Sequence, residues 1–115
     1  MAITAQELDR RITVERVTSV PNDFNEPVET WAEVATLWAR RRDASDTHKI
    51  EYMAAGQVGS FTVARFTVRS SSVTRTITPV DRIVHEGKVW EIRGVKEADE
   101  GRRRFIEITA LKDAD

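Results

Sequence analysis

Arg82-Ile83-Val84-His85-Glu86-Gly87-Lys88-Val89-Trp90-Glu91-Ile92 decides the fold class. Two short runs rich in β-branched and aromatic residues flank Glu86-Gly87, and a two-residue connection ending in glycine is a strong hairpin signal. Working outward, residues 97–101 read as a second turn, acidic and closed by Gly101, and residues 103–111 as the last strand. Upstream, Thr78-Pro79-Val80-Asp81 is a turn and residues 70–75 a loop. Residues 61–68 are clearly β in composition. There Phe61 and Val63 share one parity while Phe66 and Val68 share the other, so a bulge near Ala64-Arg65 is expected to restore them to one face. Near the start, Thr4 and Glu7 form a capping signal ahead of Leu8, and residues 11–18, with Ile12 and Val14 alternating, read as a strand. Residues 20–27 hold two prolines and two asparagines, which is turn chemistry. Five or six short strands at this spacing predict a mainly β fold, a small antiparallel barrel or sandwich.

Two stretches resist the pattern. Trp31, Val34, Ala35 and Trp38 fall at helical spacing, yet Val34, Thr36 and Trp38 also alternate as a strand would. Residues 45–55 carry a possible cap at Ser45, a face of Ile50, Met53 and Ala54, and a stop at Gly56, the pattern of a short helix or mobile loop.

Composition narrows the function. The chain has 115 residues, enough for one domain spanning 1–115 and too few for a second fold. Eighteen basic and 19 acidic residues leave a formal charge of −1, so no long-range field favours nucleic acid or anionic lipid. Without cysteine there is no disulfide, thiolate zinc site or cysteine nucleophile, and two isolated histidines, His48 and His85, leave little for a metal cage or a serine–histidine pair. No apolar run is long enough for a membrane helix, and the first residues lack a signal-peptide pattern. No phosphate-binding glycine loop or nucleophile elbow is present, so neither an enzyme nor a cofactor is implied. Fourteen of the basic residues are arginine, a residue enriched at protein interfaces.

The motifs each have a plainer reading. Arg40-Arg41-Arg42 and Arg102-Arg103-Arg104 are candidate phosphate contacts, but Asp43 and Glu100 beside them and the neutral balance favour solvated strand ends or subunit contacts. In a strand, Arg41 faces one way and its two neighbours the other. Gly56-Gln57-Val58-Gly59 has the form of an RNA backbone clamp, but that use needs helices on both sides and a strand follows. Glu97, Asp99 and Glu100 lack the longer run of ligands that calcium requires. His48 and His85 are expected at the surface or half-buried. Trp31, Trp38, Trp90, Phe61, Phe66 and Phe105 are expected in the core, with one of them available as an interface anchor.

Taken in order, Leu8-Asp9-Arg10-Arg11-Ile12-Thr13-Val14, the phrase from Glu29 through Trp31 and Trp38 to Arg40, Arg65-Phe66-Thr67-Val68-Arg69, the run from Thr78 to Ile92, and the closing Arg102-Arg103-Arg104-Phe105-Ile106-Glu107-Ile108 carry a resemblance across nearly the whole chain. The sequence resembles the head–tail joining proteins of long-tailed bacteriophages, also called head-closure or stopper proteins, which prophages and gene transfer agents also carry. The resemblance implies a small β-barrel that forms a ring with copies of itself below the portal and adaptor rings. There it would help retain packaged DNA and offer a docking surface to tail-terminator or tail-tube proteins. It makes residues 34–42 a strand, overriding the local helical spacing. It also implies a channel-closing segment between the second and third strands, here Asp43, Lys49, Tyr52, Gly56, Gln57 and Gly59. The two arginine triplets become subunit-interface or DNA-proximal residues. The expected location is the virion, with the host cytoplasm during assembly, and no membrane contact. A small nucleic-acid-binding barrel and a tail-terminator or minor tail ring protein are the alternatives.

Overall fold

The Glu86-Gly87 turn has both residues at positive φ, 53° and 76°, the backbone that a tight hairpin between right-twisted strands demands. It joins a strand at Arg82–His85 to one at Lys88–Glu97. A computed structural model describes residues 5–43, 61–98 and 104–113. In chain order its strands are β1 (Arg10–Pro21), β2 (Pro27–Asp43), β3 (Phe61–Arg69), β4 (Arg82–His85), β5 (Lys88–Glu97) and β6 (Phe105–Asp113), with short 3-10 turns at Ala5–Glu7 and Thr74–Thr76. They close into a barrel in the order β1-β2-β3-β6-β5-β4, every neighbouring pair antiparallel. The expected mainly β class holds, and closure settles barrel over sandwich.

Alternation fills the interior. Ile12, Val14, Ala39, Ala64, Phe66, Val68, Ile83, Trp90, Ile92, Ile106, Ile108 and Ala110 point inward as one buried cluster, joined by Ile77. Phe66 is its hub, its ring 5.2 Å from that of Trp90 and 5.5 Å from that of His85, both edge to face. His85 is therefore buried, not half-exposed as expected: its parity in β4 matches that of Ile83. His48 lies outside the described residues.

The irregularities fall elsewhere than expected. β3 pairs with β6 without a break from Phe61↔Asp113 to Arg69↔Phe105, so there is no bulge at Ala64-Arg65. Both faces of β3 are buried, Ala64, Phe66 and Val68 inside and Val63 and Thr67 outside, and a strand covered twice has no need to keep its apolar residues on one parity. The register shifts instead where Val14↔Ala35 gives way to Glu15↔Glu33, and again between Ile92 and Gly94.

The shift in β2 explains the helical spacing. Thr36, outside opposite Thr13, hydrogen-bonds Glu33 three residues back, so the outward parity changes across Val34-Ala35. Trp38 and Trp31, of opposite parity, both end outside. They are 54% and 38% exposed, so the expectation that both are core residues is corrected. Trp90, Phe66 and Phe105 are buried as expected. The two long strands also outrun the barrel: β4 reaches β1 only at residues 13–15, and β3 reaches β2 only at residues 39–43. Val20, Pro21 and Pro27, read as turn, are strand residues of a two-stranded arm that extends past the barrel.

Candidate functional site

Neither barrel mouth is bare. The first gathers the start of β1, the Glu86-Gly87 turn, the end of β2, the start of β3 and the end of β6. Arg41 lies inward, in the parity of Ala39, and its guanidinium sits 5.1 Å from the Trp90 ring centroid, with the Lys112 ammonium 5.6 Å from the same ring. Both cations lie on one buried indole, and carboxylates hold the arginine: Arg41 Nε donates to Asp43 Oδ1 at 2.9 Å, and Glu86 lies 4.0 Å from Arg41 and 3.4 Å from Arg10. His85 Nδ1 donates to the Arg11 carbonyl at 2.9 Å, since a carbonyl only accepts, which leaves Nε2 3.4 Å from Glu86. The Trp90 indole N–H is buried and has no acceptor among the described residues.

The second mouth is closed by Arg16, inward in the parity of Val14. It grips the buried Asp81 with a two-pronged contact, Nε to Oδ1 at 3.0 Å and Nη2 to Oδ2 at 3.1 Å, and Nη2 also donates to Thr76. The carboxylate's hydrogen bonds, and then its charge, hold the Arg16 pKa above its ordinary value. Beside this mouth, at the foot of the arm, a groove of about 390 Å³ runs between Trp31, Val80, Val89 and Arg82. Arg82 stacks 4.2 Å over Trp31 while donating to Glu15 at 2.7 Å.

A third feature is an outward cationic face on β1, β2 and β3. Arg11 stands directly opposite Trp38 and lies 4.7 Å over its ring. Along β2 follow Arg40, 3.6 Å from Glu7, and the exposed Arg42, which lies opposite Arg65 across the ladder. Like charges directly opposite are unfavourable, and Arg11 and Arg42 make no ion pair among the described residues. The first triplet thus divides as its alternation implied, Arg41 inside and Arg40 and Arg42 outside. Arg104 is exposed at the far end of the β3–β6 ladder, just before Phe105↔Arg69, so it does not join them. Arg102 and Arg103 lie outside the described residues. So do Lys49, Tyr52, Gly56, Gln57 and Gly59, while Asp43 sits at the first mouth on Arg41.

The sequence reading missed the arm's tip. Asn22 Oδ1 accepts the Phe24 and Glu26 amides, each at 2.9 Å, and Asn25 takes a positive φ of 61°. This turn holds Phe24 83% exposed, with Val20 and Val28 paired and exposed just behind it. The available signal was an aromatic residue standing between two asparagines in a proline-flanked turn.

Two occupied barrel mouths, an apolar-tipped arm and an arginine face are the surfaces that the described residues present for contact. The model of the phage head completion protein family matches residues 3–113. The chain belongs to that family. No curated protein matches this head completion protein. Among solved structures it is similar to protein SF1141 from Shigella flexneri 2a, at 25% identity and a TM-score of 0.70, over 98% of this chain and 99% of that one. It is also similar in fold to a chain from the virion of a native gene transfer agent particle, at 18% identity and a TM-score of 0.63, over 92% and 94% of the two chains.

Proposed function

We propose that this head completion protein forms a ring below the portal and adaptor of the filled head, helps to retain the packaged DNA, and offers the surface on which the tail docks. The family match over nearly the whole chain carries this reading. The geometry supports it: Phe24, Trp38, Arg11 and Arg42 stand exposed on the arm and the outer face of the closed barrel, where they can meet partners. Its partners are further copies of itself, portal or adaptor proteins, and tail-terminator or tail-tube proteins, with transient contact to DNA in the channel. Its place is the virion, reached from the host cytoplasm during assembly, and its role is structural rather than catalytic. Arg40, Arg42 and the second triplet are subunit-interface or DNA-proximal residues.

Asp43 to Gly59, with Lys49, Tyr52, Gly56 and Gln57, is the channel-closing segment in this reading. Its support is position, since Asp43 and Phe61 bracket residues 44–60 at one mouth of the barrel. Shortening residues 44–59 is expected to leave a folded domain that joins particles leaking DNA; normal DNA retention would remove this assignment. For the whole reading, electron microscopy of particles lacking the gene is expected to show emptied heads beside complete, unattached tails. Normal infectious particles would refute it.

The arginine face gives a second reading, nucleic-acid binding, its specific support. That reading requires affinity falling steeply with salt, at a slope set by the phosphates neutralised.

A further inference from the structure

We infer that the arm of one copy docks on the cationic outer face of the next, Phe24 against Trp38. This contact, repeated head to tail, holds the ring together. The inference rests on the ring reading above and names the two surfaces that would build it.

Charge points to the occupant. Between Val17 and Trp38 the chain has four carboxylates, Asp23, Glu26, Glu29 and Glu33, and no basic residue. The whole chain is −1, so the remainder is +3, and arm and body are complementary halves of one sequence. Arg11 and Arg42, which make no ion pair among the described residues, share the outer face with the most exposed tryptophan, Trp38: Arg11 lies over its ring, and Arg42 stands further along β2, beyond Arg40. The arm's carboxylates Asp23 and Glu26 flank the most exposed apolar side chain, Phe24. An aromatic edged by acids therefore faces an aromatic edged by arginines. Such pairing steers the approach and fixes register, while the buried aromatics supply the anchor.

The arm cannot satisfy itself. From Pro27 to Trp38 the extended β2 strand runs about 36 Å, so Phe24 cannot fold back onto its own Trp38. The two surfaces are also different patches of one molecule. Contact between unlike patches is heterologous, and repeated through a rotation it closes a ring. A tip already fixed by the Asn22 hydrogen bonds loses little freedom on docking. Nucleic acid is the weaker candidate for the face, because it has no use for the apolar tip or the acidic arm and the chain's net charge repels it slightly.

The chain has no cysteine, so an Asn25→Cys, Thr36→Cys double variant, which keeps both aromatic anchors and places a thiol beside each, carries the only two thiols. In particles assembled with this variant, mild oxidation is expected to yield a ladder of dimers, trimers and higher species that collapses on reduction. Asn25→Cys alone is expected to yield no dimer; a dimer there would mean that like tips meet, and would overturn the head-to-tail contact. An amine-reactive cross-linker on the same particles reports the ring independently of the arm. An amine ladder without a thiol ladder would overturn arm docking and leave the ring reading standing; neither ladder would remove both. Reversing Arg11→Glu with Arg42→Glu is expected to lower incorporation into particles about tenfold, and adding Asp23→Arg with Glu26→Arg to restore it. If the arginine reversal abolishes salt-sensitive DNA binding while the thiol pair stays unlinked, the face serves nucleic acid and the proposal falls.

Discussion

Replacing Arg16 by alanine tests whether the second mouth is held by its ion pair. Asp81 is the vulnerable partner, since its side chain is 2% exposed and, among the described residues, its other hydrogen bond is from the Thr78 amide at 3.1 Å. Removing the guanidinium deletes two charge-assisted bonds and strands a buried carboxylate. Breaking a fully buried pair this way costs about 3–5 kcal/mol. The Arg16 side chain is 39% exposed, so solvent already screens part of the attraction and about 2–3 kcal/mol is the better expectation. At about 4 °C per kcal/mol for a domain of this size, the melting midpoint should fall by about 8–12 °C. Arg16→Lys keeps the charge but loses the planar fork, and should recover about half of the loss. Thermal unfolding followed by circular dichroism measures both, and a cycle with Asp81→Ala should return a coupling of at least about 1 kcal/mol. Because Asp81 raises the Arg16 pKa, the guanidinium's contribution is complete below its unfolded-state pKa and is lost only as pH rises through the higher folded value. The Arg16→Ala deficit attributable to the guanidinium should therefore be the same at pH 6 and pH 9. A midpoint within about 2 °C of the native chain, or no coupling in the cycle, would refute the clamp.

Five further substitutions probe the barrel by chemical denaturation. Phe66→Ala should cost about 3–5 kcal/mol, because it empties the hub that both Trp90 and His85 pack against. Trp38→Ala should cost no more than about 1 kcal/mol, the worth of an exposed cation–π contact, whereas Trp90→Ala should cost about 3–5 kcal/mol. Gly87→Ala should destabilise by about 1 kcal/mol because of its φ of 76°, while Gly94→Ala, with open space around the added methyl and no positive φ, should be neutral or mildly stabilising.

What the sequence made legible depends on where a local rule had no competitor. The hairpin around Glu86-Gly87 and the alternation of Ile12 with Val14 are local patterns, and the structure follows both. Trp31 and Trp38 misled because aromatic residues usually mark the core, and because a parity change at Val34-Ala35 produces helical spacing in an extended chain. The family resemblance, not the periodicity, gave the right element there. β3 misled in the opposite sense, since its two apolar parities reflect burial on both faces and the register stays unbroken. That Arg41 faces away from its two neighbours was readable from alternation alone, though not that its side is the inward one. Its stacking on Trp90 was not, because that contact joins strands from opposite halves of the chain. Phe24 was hidden by its setting: turn composition announces a turn but not which side chain the turn presents.

The position of β6 has a consequence for how the protein is made. The last of these strands in chain order lies between β3 and β5, with no edge position of its own. During synthesis β1, β2 and β3 emerge first and the β4–β5 hairpin next, yet the two groups cannot be sealed along that side until residues 105–113 arrive. Until then β3 and β5 each present an unpaired edge, the kind of surface that promotes misassembly between nascent chains. Folding is thus weighted toward a late, long-range closure, which places this small barrel among the slower topologies for its length.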